Sequence, residues 1–301
     1  MKLTSQSGGR FSSLGLLVVV LTIGCTADPY INDFEQSPWV ARLPAVTRQS
    51  ILWFGDVEEG TLSDWTYADP KVAGGGIFNT GEREVLSRAS KVVSRSGKYS
   101  AEATINGAFR AQNGKRAVRL MRWTNKAWPQ GGEYFPIDAY YSTWMYFPVS
   151  YNPSKYVPSD PGGWWNVFQF KSQSSAGVSE PIWVLYVDHD AASDEMSFYL
   201  SSKYNDGRSI RQTDPLAIPA AQWVHIEARY VQAASATGSI TIWQDGQKIL
   251  AAKNVVTVLE SPAIWGIGNY TDHITGGSID GSATIYFDDS AVSTQPLSAH
   301  R

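Results

Sequence analysis

From Ile51 to about Thr294 the chain never sustains an apolar period of 3.6. Its apolar residues come in short alternating or continuous runs, cut by Gly, Asn, Asp and Pro. That pattern removes helical bundles and βαβ units and leaves antiparallel β structure. In 140-YYSTWMYFP-148 aromatic rings occupy both faces, as in a strand covered on both sides, and Pro148 ends it. In 222-QWVHIEARYV-231, Val224, Ile226, Ala228 and Tyr230 make an apolar face, while Trp223, His225, Glu227 and Arg229 make one that is wet or lines a groove. The segment 239-SITIWQDGQKIL-250 reads as a hairpin, because 245-DG-246 supplies two residues that tolerate the positive φ of a tight turn. A closing strand, 283-ATIYFDDSAV-292, is interrupted by Asp288 and Asp289. About a dozen such runs in roughly 240 residues predict a single all-β domain, a two-sheet antiparallel β-jelly-roll sandwich.

The sequence ahead of that domain has a different character. Lys2 and Arg10 precede the apolar run 14-LGLLVVVLTIG-24, which is short for a membrane span and reads as an export signal over residues 1–25. Cys25, the only cysteine, follows Gly24 in 22-TIGC-25, a pattern similar to a bacterial lipobox with Thr22 at the usual aliphatic position. Lipid anchoring at Cys25, plain secretion and an uncleaved apolar anchor are all compatible with it. A lone cysteine excludes an intramolecular disulfide. Residues 26–50, with Pro29, Pro38 and Pro44, read as a linker, so the folded domain is expected over 51–301.

Charge narrows the partners. A net charge of -3 on 301 residues gives no bulk reason to bind nucleic acid or an anionic membrane, so any polyanion must be met by a local cluster. The loop 203-KYNDGRSIRQTDP-215 offers one, in Lys203, Arg208 and Arg211. Twelve tryptophans and fifteen tyrosines suit both sandwich cores and platforms for sugar rings. There is no phosphate-cradling glycine loop, serine-nucleophile elbow or zinc spacing. His225, His189 and His273 lie in separate segments. Glu58 on the first strand and Asp288 on the last are candidates to meet in an antiparallel sandwich and hold a structural Ca²⁺, together with Asp56, Glu59 and Asp289; simple turn and edge charges are the alternative.

The stretch 164-WWNVFQFKSQ-173 poses the functional question. Alternation puts Phe168 and Phe170 on one face and Gln169, Lys171 and Val167 on the other. In the joint order of 53-WFGDVEEGTLSDW-65, 96-SGKYSAEATI-105, 140-YYSTWMYFP-148, this stretch, 180-EPIWVLYVD-188, 222-QWVHIEARYV-231, 238-GSITIWQDG-246, 265-WGIGNY-270 and 284-TIYFDD-289, the chain resembles polysaccharide lyases of the heparin lyase I and alginate lyase type. The resemblance implies a concanavalin A-like lectin/glucanase sandwich that cleaves an acidic, uronate-containing polysaccharide by β-elimination. It requires no cofactor.

That reaction needs a donor for the uronate carboxylate, a base for the C5 proton and an acid for the leaving oxygen. On the resemblance, Gln169 matches the glutamine of a "Q-x-H" strand and Tyr270 the tyrosine of a "K-x-G-x-Y" segment. Arg119 or Arg122, in 118-VRLMRW-123, matches the carboxylate-binding arginine. Tyr270, as acid and base, needs a cationic neighbour. Arg208, Arg211, His225 and Tyr186 are the further candidates for substrate contact. Three positions depart from the family pattern: Lys171 replaces the histidine and is itself a catalytic candidate, as an assisting cation or as a base if desolvation lowers its pKa, Gly266 replaces the lysine, and Met121 a glutamate on the arginine strand. The expected protein is thus a monomeric bacterial lyase, secreted or held at the cell surface or in the periplasm as a lipoprotein. A non-catalytic carbohydrate-binding sandwich, anchored at the cell surface, is the alternative.

Overall fold

The computed structural model describes residues 37–66, 76–80, 86–106, 116–123, 135–151, 164–190, 193, 195–271 and 282–297. Fifteen strands are found among the described residues. In chain order they are β1 (Ile51–Gly55), β2 (Gly76–Thr80), β3 (Leu86–Ser90), β4 (Ser100–Asn106), β5 (Arg116–Trp123), β6 (Asp138–Tyr146), β7 (Trp165–Gln173) and β8 (Ser179–Asp190). They continue as β9 (Glu195–Ser202), β10 (Arg208–Ile210), β11 (Trp223–Val231), β12 (Gly238–Gln244), β13 (Gln247–Val255), β14 (Ile264–Thr271) and β15 (Ser282–Ser293). The front sheet runs β10-β9-β8-β7-β14-β5-β2 and the back sheet β13-β12-β11-β6-β15-β4-β3, with β1 also on β15; every named pairing is antiparallel. The predicted sandwich is therefore the observed one, and its strand order jumps along the chain, as the jelly roll requires.

Alternation decides what lies between the sheets. Val224, Ile226, Ala228 and Tyr230 of β11 are fully buried and meet Phe168 and Phe170 of β7 in one core, where the Tyr230 and Phe170 rings stack at 3.7 Å. Trp53, Trp65 and Trp265 form an edge-to-face group at one end of that core. The hairpin at Asp245 and Gly246 has positive φ at both turn residues, as read from its sequence.

Residues 37–50 do not behave as a linker. They include the single helical turn Ala45–Arg48, and Trp39, Val40 and Leu43 pack on Phe54, Ala291 and Leu297 of the back sheet's edge. Trp39 stacks on Phe54 at 5.4 Å, and the Thr294 amide donates to the Ser50 carbonyl at 2.9 Å. Pro38 and Pro44, two of the prolines that suggested a tether, instead belong to a strap over the sandwich. Cys25 lies outside the described residues, as do His273 and the segment 152–163.

Candidate active site

Strand β14 lies between β5 and β7, and its outward residues set the centre of the front face. Trp265 and Ile267 are buried in the core, and the Asn269 amide donates to the carbonyls of Ala103 and Ala283 on the opposite sheet. Gly266, Gly268 and Tyr270 consequently face out. Gly268 is required there by space: a Cβ at this position would lie 2.0 Å from the Val118 carbonyl oxygen of β5.

Register then assigns each candidate. Gly266 lies opposite Met121 on one side and Gln169 on the other; Gly268 lies opposite Arg119; Tyr270 lies opposite Asn166. The Arg119 guanidinium carbon sits 4.8 Å from the centre of the Tyr270 ring, and the Trp164 ring meets Tyr270 edge-on at 4.6 Å. Burial lowers the pKa of Arg119, with the facing Tyr270 pulling it back up. Its starting value is so high that it stays a cation at neutral pH.

Arg119 and Arg122 are three residues apart, so they leave β5 on opposite sides. Arg122 is 1% exposed, donates to the Asp64 carbonyl at 3.1 Å and lies 4.6 Å from the Trp53 ring. It is a core residue, and the candidate role in substrate binding is corrected. Asp64, whose pKa burial pushes up to about 6, lies close enough to Arg122 to be partly offset by it.

Gln169 is buried at the floor of the face, and its amide is oriented by a residue that alternation alone places elsewhere. The register of β7 shifts against β8 between Asn166 and Phe168. Trp165, Val167 and Phe168 all enter the core, and the Asn166 amide nitrogen donates to Gln169 Oε1 at 2.9 Å. Val167 does not share the Gln169 face as the alternation predicted; Asn166 does. With Oε1 engaged, Gln169 Nε2 is left against Met121 Sδ at 3.8 Å, a thioether that accepts weakly. An incoming carboxylate is a far better partner for that N–H.

Lys171, opposite Ile264, lies on the same face as Gln169 but farther along β7 from Tyr270. Burial, assisted by the positive charge of Arg119, lowers its pKa to about 8, while Glu180 works the other way. Six residues of β14 separate the register levels of Lys171 and Tyr270, roughly 20 Å of strand. The two do not form an acid–base couple on one atom.

Two departures from the family pattern prove to be one structural change. Gly266 and Met121 are cross-strand partners, and a Cβ on Gly266 would meet Met121 Sδ at 2.6 Å. Both departures therefore fall at one place on the sheet, where the methionine occupies the space the glycine leaves.

An aromatic row continues across β8 and β9. Trp164 meets Tyr186 at 6.0 Å, Tyr186 stacks on Tyr199 at 5.1 Å, and the Arg211 guanidinium lies 4.5 Å over Tyr199 while paired with Asp188. Tyr186 and Arg211 are thus joined to Tyr270 through one continuous row of ring contacts. Arg208 is exposed and lies opposite Ser202, and the next residue, Ser209, meets Ser201 hydroxyl to hydroxyl at 3.2 Å. Strand parity turns Arg208 to the other side of β10, away from the cluster expected of it. Lys203 is tied to Glu180 at 2.6 Å.

Three further candidates lie elsewhere. His225 projects from the outer face of the back sheet, its ring tilted against Trp144 at 4.9 Å, with the whole sandwich between it and Tyr270. The Glu58 carboxylate accepts from the amides of Lys98 and Tyr99, and the Asp288 carboxylate from those of Arg95, Ser96 and Asp289, so both are spent on the backbone. Among the described residues no three acidic, histidine or cysteine side chains form a ready metal cluster. The unengaged oxygen is Asp289 Oδ2, which is buried and has no hydrogen-bond partner among them. Burial and mutual repulsion hold Asp288 protonated well above the usual carboxylate range; burial, with the charges of Asp56 and Glu58, does the same to Asp289.

A family model described as polysaccharide lyase matches residues 57–291. Among solved structures, an endo-β-1,4-glucuronan lyase from the fungus Trichoderma reesei is similar at 17% identity and a TM-score of 0.57, covering 82% of this chain and 96% of that one. An alginate lyase from Aplysia kurodai follows at 10% identity and a TM-score of 0.47, over 82% of this chain and 100% of that one. No curated protein sequence matches the chain.

Proposed function

The chain belongs to the polysaccharide lyase family, and from that premise we propose that it cleaves a uronate polymer by β-elimination on the outer face of the front sheet. The observation that carries the reading is the convergence of Gln169, Arg119 and Tyr270 on the residues around Gly266 and Gly268. Gln169 Nε2, fixed by Asn166, donates to the uronate carboxylate and so stabilises the enolate-like charge that builds as the C5 proton leaves. Arg119 supplies the positive charge that a phenol acting as base requires beside it. Tyr270 takes the proton from C5, the C4–O bond breaks as the C4=C5 double bond forms, and the same proton passes to the departing oxygen.

One tyrosine in both roles needs the C5 hydrogen and the C4 oxygen on the same side of the ring. D-glucuronate and D-mannuronate units have that arrangement, and L-guluronate and L-iduronate units do not. Polymers of the first kind are therefore the expected substrates. The aromatic row from Trp164 to Tyr199 supports neighbouring sugar rings, and Lys171 and Arg211 face their carboxylates. The test is release of unsaturated uronate ends, read by ultraviolet absorbance, from glucuronan and polymannuronate against polyguluronate. Cleavage of polyguluronate at an equal rate contradicts the single-tyrosine mechanism.

We also infer that a structural Ca²⁺, where one is taken up, is held by Asp289 with Asp56 rather than by Glu58 and Asp288, because Asp289 Oδ2 is the buried oxygen left without a partner among the described residues.

A further inference from the structure

Trp144 and His225 lie on the side of the molecule that the proposed reaction does not use. There, a cavity of about 270 Å³ opens between the back sheet and the strap of residues 37–50, with Trp144 as its floor. Trp39 and Leu297 supply apolar wall, and Arg42, Arg95 and His225 supply the polar part. The volume is just under the ~300–1,000 Å³ of drug-sized sites, which suits a single sugar ring.

The electrostatics of the cavity are one-sided. The Arg95 guanidinium lies 4.2 Å over the Trp144 ring, and the His225 ring meets the same indole at a tilt, 4.9 Å away. Of the carboxylates nearby, Glu227 accepts from the Leu297 amide at 2.6 Å, Asp245 from the His225 amide at 3.0 Å and Asp288 from the Arg95 amide at 2.7 Å, while Asp289, which accepts from the Ser96 hydroxyl at 2.9 Å, interacts with the Arg95 charge from outside the cavity lining. Among the described residues no acidic side chain lines the cavity and neither Arg42 nor Arg95 is in an ion pair. An indole that carries the Arg95 guanidinium, with Arg42 on the wall beside it, fits a small ligand with an apolar face and a carboxylate at its edge.

The platform also continues beyond the cavity. One rung along the strands, about 7 Å away, Trp223, Tyr146 and Tyr286 are consecutive cross-strand neighbours, with ring centres 5.4 and 6.1 Å apart. A chain of sugars leaving the cavity along the strands would run onto those rings.

We propose that this cavity is a second, non-catalytic binding site for a hexuronate unit, which holds an acidic polysaccharide to the back of the enzyme. The choice of a uronate rather than another flat anion rests on the substrate reading above. The Tyr270→Phe protein, with indole nitrogens labelled, is titrated with D-glucuronate and with D-glucose while the Trp144 indole signal is followed by NMR. Glucuronate is expected to shift that signal in saturable fashion and glucose to shift it at least about tenfold more weakly. In an Arg42→Gln, Arg95→Gln protein the glucuronate affinity should fall about tenfold, with the rate of polymer cleavage on a soluble substrate unchanged when Tyr270 is intact. The backbone amide of residue 95 that holds Asp288 survives that substitution, and an unchanged thermal midpoint verifies it. Absence of any Trp144 shift, or an equal shift with glucose, overturns the proposal. If cleavage persists in that case, only the second site is lost; if cleavage is absent too, the substrate reading falls with it.

Discussion

Gln169 illustrates how much one residue's function depends on a neighbour that looks incidental. Its carboxamide can turn either way, and the Asn166 hydrogen bond is what presents Nε2 outward. Asn166→Ala should therefore lower kcat/KM by about tenfold, the order of one buried hydrogen bond, with the fold intact by circular dichroism. Gln169 and Tyr270 were candidates through motif resemblance, and the structure puts them on one face, but Asn166 was missed, because period-two alternation counts a bulged strand one residue out of step. The odd spacing of Arg119 and Arg122 was a usable signal, since only one of them can share a face with Gln169. Lys171 has a role of its own. Its pKa of about 8 means that the ammonium is lost as pH rises through that value, so KM for the polymer should climb above pH ~8. A Lys171→Met protein should start from a severalfold higher KM and show no further rise over the same interval.

Strands β14 and β15 show two ways in which an element constrains function. On β14, Gly268 lets β5 approach closely enough to bring Arg119 over Tyr270, and Gly268→Ala should cost about 2–4 kcal/mol in urea unfolding, because the added Cβ meets backbone rather than a movable side chain. On β15, the raised pKa values of Asp288 and Asp289 set a pH dependence of stability. The folded state keeps protons that the unfolded state has released above pH ~4, so stability should fall as pH rises from about 5 towards neutrality and beyond. Asp64 adds to that loss between pH ~4 and its own value of about 6. Thermal midpoints measured across this interval in a chelator should decline, and Ca²⁺ should flatten the decline if Asp289 takes the ion. The strap of residues 37–50 was not legible as structure, since its prolines and lack of period resemble a linker; its anchoring rings, Trp39 and Phe54, meet only in three dimensions.

Across the molecule, the sandwich separates chemistry from the rest. Alternation made the sheet architecture readable, because each strand had one apolar side to bury, but which sheet a polar residue belonged to was set by long-range strand order. His225 and Tyr270 looked equally available in sequence and stand on opposite faces of the folded protein. In the proposed reaction the front face performs an elimination with Tyr270 as the proton carrier. The direct measurement is the rate at which unsaturated ends appear from glucuronan, for the native protein and for Tyr270→Phe, alongside polymer affinity. The substitution is expected to lower that rate by ~10²–10⁴-fold with affinity nearly unchanged. A Tyr270→Phe protein that still releases unsaturated ends at the native rate would contradict that reaction.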